Sequence, residues 1–365
     1  MKQSLFFIIT AAIISFNNNL KVNLNKDNQE VNKVIYPSDN PAERVVWEQI
    51  RFRDPRTGRI PEDMRRKEMM FSKTLPVNNN FNKGNWVHRG PYNVGGRTRA
   101  LSLDIRDENI MLAGGTSGGM FRSIDGGQSW QMTTDPGQLH NVTCLAQDTR
   151  PGHEDTWYFG SGENRGGWLG DVSFLGNGIY KSIDGGLSWD SLSITTSNTP
   201  QSWDNDFDFV WNIVTDPSND SLDVVYAATH GDIYKSIDGG MSWSKKLGGT
   251  NSSYYQYTSI EITSTGVVYA AISSDCVDKG IWRSEDGENW TKIINGTSFP
   301  SVYDRIAIGI NPTNENEVYF IAASTTGFGQ FTNVFFGGST WTSLFKYNYI
   351  SGNGSGSGGQ WTDLS

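Results

Sequence analysis

Short segments in which apolar and polar residues alternate recur along the chain from residue 85 onward. The clearest are LSLDI (residues 101–105), SIEIT (259–263) and RIAIGI (305–310). Turn segments such as DIRDEN, DPSNDS and NPTNEN lie close by, and a mainly apolar run follows each alternating segment. Alternation indicates a strand with one buried face, and a short continuous apolar run indicates a strand buried on both faces. The pattern therefore predicts repeated pairs of antiparallel strands.

A hairpin signature follows the apolar runs and gives the repeat its period. It occurs four times, as SIDGGQSW (Ser123–Trp130), SIDGGLSW (Ser182–Trp189), SIDGGMSW (Ser236–Trp243) and the one-residue-shorter SEDGENW (Ser284–Trp290). Successive tryptophans are 59, 54 and 47 residues apart. A strand (MFRS, IYKS, IYKS or IWRS) enters each signature, and the residues after each tryptophan form another. Four short strands with their turns fill this period, which is the size of one propeller blade.

The sequence therefore predicts an all-β fold, a β-propeller of about five four-stranded blades, over residues 85–365. The blades cover roughly residues 92–135, 138–195, 207–248, 255–295 and 302–365. In the fifth repeat, GGSTW (Gly337–Trp341) is one candidate hairpin signature. Alternatively, LFKYNYI is the third strand and Trp361 the signature tryptophan, with Gly327 to Ser343 an insertion, and this alternative fits the blade pattern better. No spare strand is evident to close a ring, so we expect a truncated propeller with further blades.

The first 84 residues predict a leader ahead of the propeller. Lys2 followed by the apolar run Ser4–Phe16 is typical of a signal peptide, which we place at residues 1–20. Residues 21–84 form a polar linker and a helical leader, whose helical part (Pro41–Leu75) is broken by DPRTGRIP. Pro61 suits the first turn of the second helical piece. We therefore expect a secreted or cell-surface protein with no membrane span after signal cleavage.

Composition and charge narrow the classes of partner. The chain has 41 Gly, 13 Trp and a formal net charge of −9. Nucleic acids and anionic membranes bind basic faces, so neither is expected as the main partner. The two cysteines, Cys144 and Cys276, fall in blades two positions apart, so we expect two small buried residues and no disulfide.

The residues of the hairpin signature are expected to be structural. Ser and Asp side chains hydrogen-bond the backbone of their own turn, Gly supplies a positive φ, and Trp covers the hairpin. Identical residues at identical blade positions lie on a ring and far from one another, which argues against a shared catalytic role. The set comprises Ser123, Asp125, Gly127, Trp130, Ser182, Asp184, Gly186, Trp189, Ser236, Asp238, Gly240, Trp243, Ser284, Asp286 and Trp290.

The S-x-D-x-G-x-x-W signatures resemble the BNR/Asp-box repeats of sialidases, sortilin-type receptors, xyloglucan-hydrolysing endoglucanases and photosystem II assembly-factor-like propellers. This resemblance covers roughly residues 85–365 and implies the propeller fold. The stretches RDPRTGRIPEDMR, WVHRGPYNVGGRTRAL and LAGGTSGGMFRSIDGGQSW are similar to large Bacteroidetes propeller proteins exported by type IX secretion. Those proteins usually carry a C-terminal sorting domain, which this sequence lacks, and this adds to the expectation of truncation.

The family resemblance implies two hydrolase chemistries. In the endoglucanases, a first-blade T-D-x-G-G segment carries a catalytic Asp, but GGTSGGMFR has Thr116 and Ser117 there, which counts against that activity. The sialidase resemblance implies three arginines around a carboxylate, a Tyr–Glu pair and an Asp acid/base. The weak catalytic candidates for that chemistry are Arg99, Arg165, Arg305 and Glu163. The Arg-Ile-Pro at residues 59–61 lies in the helical leader, where chance explains it better.

Neither a metal nor a cofactor is predicted. The four histidines (His88, His140, His153 and His230) lack metal-ligand spacing among themselves or with the cysteines. Asp204, Asp206 and Asp208 open like a calcium loop, but the Gly and closing Glu of an EF-hand are missing. A looser calcium site there and an acidic turn before a strand remain as alternatives, and the acidic turn fits better.

A binding face is the remaining candidate. Turns at the starts of the inner strands surround the central channel of a propeller, and arginines beside aromatic and amide groups suit a glycan or a protein loop. The candidate binding residues are Arg97, Arg99, Asn141, Glu163, Asn164, Arg165, Trp211, Tyr257 and Arg305. The sequence therefore favours a non-catalytic secreted propeller that binds protein or glycan. A sialidase-like glycoside hydrolase and an extracytoplasmic assembly or accessory factor are the alternatives.

Overall fold

A computed structural model describes residues 50, 53–59, 64–74, 97–135, 137–138, 141–164, 174–199, 202–249, 256–294, 299–324, 328–332 and 339–365. The chain divides into two compact units, residues 1–76 and 77–365. The first unit contains helix α1 (Met64–Thr74) and a turn at residues 53–59. The expected signal peptide, the polar linker and Pro61 lie outside the described residues. No helix among the described residues is long and apolar enough to cross a membrane.

The second unit is a β-propeller, and its first four blades are antiparallel sheets with their four strands in chain order. Blade one contains β1 (Thr98–Leu103), β2 (Met111–Gly115), β3 (Gly119–Ser123) and β4 (Gln131–Met132). Blade two contains β5 (Val142–Gln147), β6 (Trp157–Ser161), β7 (Ile179–Ser182) and β8 (Asp190–Ser191). Blade three contains β9 (Val210–Thr215), β10 (Val225–Thr229), β11 (Asp232–Ser236) and β12 (Ser244–Gly248). Blade four contains β13 (Thr258–Ile262), β14 (Val268–Ile272), β15 (Gly280–Ser284) and β16 (Thr291–Lys292).

The fifth blade carries one extra strand. It contains β17 (Tyr303–Ile310), β18 (Glu317–Ser324), β19 (Phe328–Thr332), β20 (Ser339–Tyr349) and β21 (Gly359–Asp363). Trp341 lies within β20 opposite Ser324, so GGSTW is not a hairpin signature. The segment LFKYNY belongs to the third strand of the blade pattern, and Trp361 lies in the fourth, as the second interpretation expects. The insertion contains β19, which pairs with the first part of β20, and β20 therefore begins earlier than LFKYNYI.

The apolar core lies between blades, because the second strands of blades two, three and four are buried on both faces. Every residue of β6, β10 and β14 is buried. One apolar cluster forms at each of the four junctions between successive blades. At the first junction, Leu112 of blade one packs with Trp157 and Phe159 of blade two. Cys144 and Cys276 are buried and are not joined by a disulfide.

The hairpin signatures, called Asp-boxes below, close on themselves through hydrogen bonds. In blade two, Ser182 Oγ donates to Asp184 Oδ1 (2.6 Å) and accepts from Gly186 N (2.9 Å). Asp184 also accepts from the backbone N–H and hydroxyl of Ser188. The same bonds form at Asp125, where the Ser129 hydroxyl leads the groups that lower the carboxyl pKa to about 2. The oxygens of these carboxylates therefore accept hydrogen bonds from donors within their own turns.

A cation just before each of the first three Asp-boxes links its blade to the next. Arg122 Nε donates to Gly185 O (3.0 Å), and Lys181 Nζ donates to Gly239 O (3.3 Å). Lys235 Nζ donates to Asp286 O (2.6 Å). Each acceptor is a carbonyl of the following Asp-box, so the boxes also fasten neighbouring blades. The equivalent Arg283 instead lies 4.1 Å from the ring centroid of Tyr349, because the turn of blade five has a different sequence.

Candidate functional site

The antiparallel strand order separates two ends of the propeller. The first strands of neighbouring blades contact one another and form the inner layer. The starts of these strands share one end with the connections between second and third strands, and we call this end the central face. The Asp-boxes join third and fourth strands and lie at the opposite end, which we call the box face. The candidate binding residues that the structure describes come from segments of the central face.

Glu163 is held rigidly at the central face just after β6. Its backbone pairs with Phe174, with N···O distances of 2.7 and 2.8 Å in the two directions. The preceding Gly162 has φ +86°, and a Cβ atom there would lie 1.7 Å from Asp208 O, so only glycine fits. The Glu163 side chain is fully buried. The loop therefore aims a buried carboxylate at the inner strands.

Two arginines of blade one meet this carboxylate. The Arg97 guanidinium forms an ion pair with Glu163 Oε2, and Arg99 Nε lies 3.4 Å from Glu163 Oε1. Arg97 is 40% exposed and Arg99 is 19% exposed, so both reach toward solvent from the buried anion. Charge-assisted pairs of this kind fix geometry strongly when one partner is buried. Blades one and two are thus joined at the central face by two cations and one anion.

Blades three, four and five contribute a stack of side chains beside this group. Trp211 is 4% exposed, and its ring centroid lies 4.9 Å from that of Tyr257. The Arg305 guanidinium carbon lies 5.6 Å from the Trp211 ring centroid, a cation–π contact. Arg305 is exposed to solvent, and desolvation by its neighbours, followed by the like charge of Arg99, lowers its pKa, while Tyr257 and Glu163 act in the opposite direction.

Six of the nine candidate binding residues fall into two contacting groups at this end, Arg97, Arg99 and Glu163 in one and Trp211, Tyr257 and Arg305 in the other, and we call the six together the arginine cluster. Asn141 has a local role, since its Nδ2 donates to Leu175 O at 2.7 Å. Asn164 is buried next to Glu163 in the chain. Arg165, the third arginine of the sialidase hypothesis, lies outside the described residues. Within the described part of the chain, Arg97 supplies the third guanidinium instead.

Several polar atoms of this region are buried without a hydrogen-bond partner among the described residues. Arg99 Nε, Glu163 Oε1 and Trp211 Nε1 belong to the arginine cluster, and Asn141 Oδ1 lies at the start of β5. Buried polar groups in folded proteins are nearly always hydrogen-bonded. The atoms of the cluster are therefore positions at which a ligand or solvent would complete the hydrogen bonding.

The acidic turn before β9 does not resemble a cation site. Asp208 Oδ2 accepts from the backbone N–H groups of Asp204 and Asn205, both at 2.9 Å. Asp206 Oδ2 accepts the Tyr234 hydroxyl at 2.5 Å and lies 3.6 Å from Lys245 Nζ. Asp204, Asp206 and Asp208 each have at least one hydrogen-bond partner within the protein, as an acidic turn requires, while Asp208 Oδ1 is buried without one among the described residues.

Sequence reasoning missed two groups of titratable residues. Arg150 lies 2.6 Å from both Asp148 and Asp223, with His153 about 4 Å from the same carboxylates. Arg150 also donates to two backbone carbonyls of blade three, so this group fastens blades two and three. Glu261, in the middle of β13, has its pKa raised to about 7 by burial, while a hydrogen bond with Asn212 acts the other way. The sequence did not predict this environment, because Glu261 occupies a polar position of an alternating strand, where a solvated carboxylate is expected.

Comparisons with known proteins give the fold. No family profile and no curated protein sequence matches the chain. Among solved structures, an ancestral GH74 enzyme matches with a TM-score of 0.52 and 18% identity over 74% of this chain. The chain spans about a third of that enzyme, since the match covers 31% of it.

Two further structures match at lower similarity. YCF48 from Cyanidioschyzon merolae has a TM-score of 0.44 and 14% identity, over 75% of this chain and 73% of its own. An auxiliary nutrient binding protein from Bacteroides thetaiotaomicron has a TM-score of 0.40 and 14% identity, over 71% of this chain and 59% of its own. At these identities, likeness carries no information on activity. The chain is a β-propeller with about five blades.

Proposed function

We propose that this protein is a secreted or cell-surface Asp-box propeller that binds a protein segment or a glycan at its central face, without catalysis. The single observation that carries the proposal is the arginine cluster. Five blades each contribute at least one side chain to it, although these residues are up to 208 positions apart in the sequence. Such convergence requires a reason beyond the packing of any one blade.

The side chains at the box face differ from those of the cluster in a way that supports this assignment. Asp-box carboxylates accept several hydrogen bonds from their own turns, whereas the cluster contains two buried donors and one buried acceptor without a hydrogen-bond partner among the described residues. Unsatisfied donors and charged groups at the mouth of a channel are typical of a recognition site. The signal-type segment at residues 4–16 and the similarity to type IX-secreted propellers support export.

A paired array experiment tests this function. The full chain is screened on a glycan array and a peptide array, with fluorogenic glycosides including sialosides in parallel wells. We expect capture of an array ligand that is lost with Arg99→Ala and kept with Ile183→Ser. Ile183 is the matched control because it is 74% exposed on an Asp-box at the opposite end.

Three outcomes would contradict the proposal. Capture that survives Arg99→Ala but fails with Ile183→Ser would place binding on the box face. Glycoside turnover that disappears with Glu163→Gln would make the protein a hydrolase. Absence of binding on both arrays, together with co-purification of one specific protein complex, would favour an assembly factor.

A further inference from the structure

A cavity of about 230 Å³ lies at the box face between blades four and five. The fourth Asp-box lines one side of it, and Gly352 and Asn353, from the connection between β20 and β21, line the other. Pockets for drug-sized ligands have volumes of roughly 300–1,000 Å³. This smaller cavity therefore suits a group of about the size of one sugar ring or one amino acid.

The cavity occurs at the junction where the link between successive Asp-boxes is missing. In blades one to three, the cation before each Asp-box donates to a carbonyl of the following Asp-box. The connection between β20 and β21 (residues 350–358) contains no Asp, and Arg283 stacks on the Tyr349 ring instead. The repeat thus places a cation before a backbone acceptor that blade five does not supply.

Arg283 lines this cavity with one donor that lacks an acceptor. Its side chain is 5% exposed, and Nη1 donates to Glu285 Oε1 at 3.0 Å. The Tyr269 hydroxyl is a further partner of the guanidinium. Arg283 Nε is buried and has no hydrogen-bond partner among the described residues. Because buried N–H groups nearly always have an acceptor, a molecule that brings an oxygen into the cavity would complete the hydrogen bonding of Nε.

The rest of the lining favours a neutral ligand over an ion. Glu285 and Asp286 give the cavity two carboxylates against the one guanidinium of Arg283, which disfavours an anion. Asp286 accepts hydrogen bonds from its own Asp-box, and Glu285 pairs with Arg283, so both carboxylates have partners already. Thr291 and Asn353 add a hydroxyl and an amide group to the lining. A sugar matches this mixture, because each of its hydroxyl groups both donates and accepts.

We propose that this cavity is a second binding site, which takes a single neutral sugar residue. One sugar hydroxyl accepts from Arg283 Nε, and others form hydrogen bonds with Thr291 and Asn353. The site goes beyond the proposed function, because it lies at the box face and uses no residue of the arginine cluster. A neutral ligand of this size should bind with a Kd of roughly 1–10 mM, which is too weak for capture on the arrays that test the central face.

Saturation-transfer NMR with the full chain and the methyl glycosides of neutral hexoses tests this inference. We expect at least one glycoside to bind, and Thr291→Val and Asn353→Asp each to raise its Kd by at least about fivefold, since each removes a hydrogen-bonding group. Asn353→Asp keeps the Oδ1 atom that accepts from Ser355 and so preserves the turn. Asn219→Asp is the matched control, because Asn219 Oδ1 also accepts two backbone N–H groups, in a turn of blade three. It should have no effect on glycoside binding.

Arg283→Lys tests the buried donor itself, because it keeps the positive charge and removes Nε–H. It should raise the Kd by at least about tenfold. If this variant also loses melting temperature, Thr291→Val and Asn353→Asp decide the question, since both leave Arg283 in place. Binding that none of the three variants weakens, or no binding at about ten times the expected Kd, would overturn the inference. Preference for a free amino acid over every glycoside would reject the sugar. Each of these results leaves Arg99-dependent capture at the central face, and with it the proposed function, unaffected.

Discussion

The two ends of the propeller contain similar types of charged residue, but these residues make different kinds of contact at each end. At the box face, four Asp-boxes repeat the same Ser–Asp hydrogen bonds, and three of them receive a cation from the preceding blade. At the central face, each blade supplies a different side chain to the arginine cluster. Residues that repeat with the blades indicate fold, whereas the proposed binding site consists of charged and aromatic residues that occur once.

The largest expected effect comes from the glycine that positions Glu163. Gly162→Ala should destabilise the propeller by at least about 3 kcal/mol, because it combines a positive φ with a clash against Asp208 O. Gly152→Ala is the matched control, since Gly152 has φ +87° but nothing within 4 Å of an added Cβ. It should cost only about 1 kcal/mol. Chemical denaturation measures both, and equal losses would show that the central face does not require this close contact.

A pH-dependent effect should follow from Glu261 on the inner strand. Its pKa is raised to about 7 from an ordinary value of 4.5, so its contribution to stability is present below pH 4.5 and is lost as pH rises through 7. At pH 8, Glu261→Gln should therefore stabilise the protein by about 1–3 kcal/mol, with little change at pH 4.5. Melting temperatures across this range test the sign, and a wild type that gains stability on the alkaline side relative to Glu261→Gln would contradict it.

An Asp-box variant should lower stability and leave ligand binding unchanged. Asp184→Ala removes the acceptor of Ser182, Leu187 and Ser188, which should cost about 1–2 kcal/mol. Asp184→Asn retains one acceptor oxygen and should cost less. Denaturation and the array-binding assay are run on the same samples. A binding defect at full stability would contradict the assignment of stability to the box face and of ligand binding to the central face.

The smallest effect is expected from a single link between blades. Lys181→Met keeps the aliphatic stem but removes the bond to Gly239 O, which should cost about 0.5–1.5 kcal/mol. Lys279→Met, at an exposed position of blade four, is the control. A loss no greater than the control's would show that these cations are not fasteners.

The blades and their Asp-boxes were predictable from sequence, whereas the arginine cluster was predictable only in part. Alternation and the Asp-box period predict the blades because both arise from bonds and burial within about 50 residues. Arg97 and Glu163 are 66 positions apart, and Arg150 and Asp223 are 73 apart, so no local pattern pairs them. Blade register nevertheless placed Arg99, Trp211, Tyr257 and Arg305 at starts of inner strands. The local role of Asn141 and the extra strand β19 depend on loop conformation, which the repeat does not specify.

The forward links between blades also give the chain a direction during synthesis. Each of Arg122, Lys181 and Lys235 bonds to a carbonyl that is translated about 50 to 60 residues later. A newly made blade therefore cannot complete its own contacts until its successor emerges from the ribosome. We therefore expect each blade to become fully stable only after the next blade has been synthesised. The Asp-box of the later blade supplies the carbonyl that completes the contacts of the earlier one.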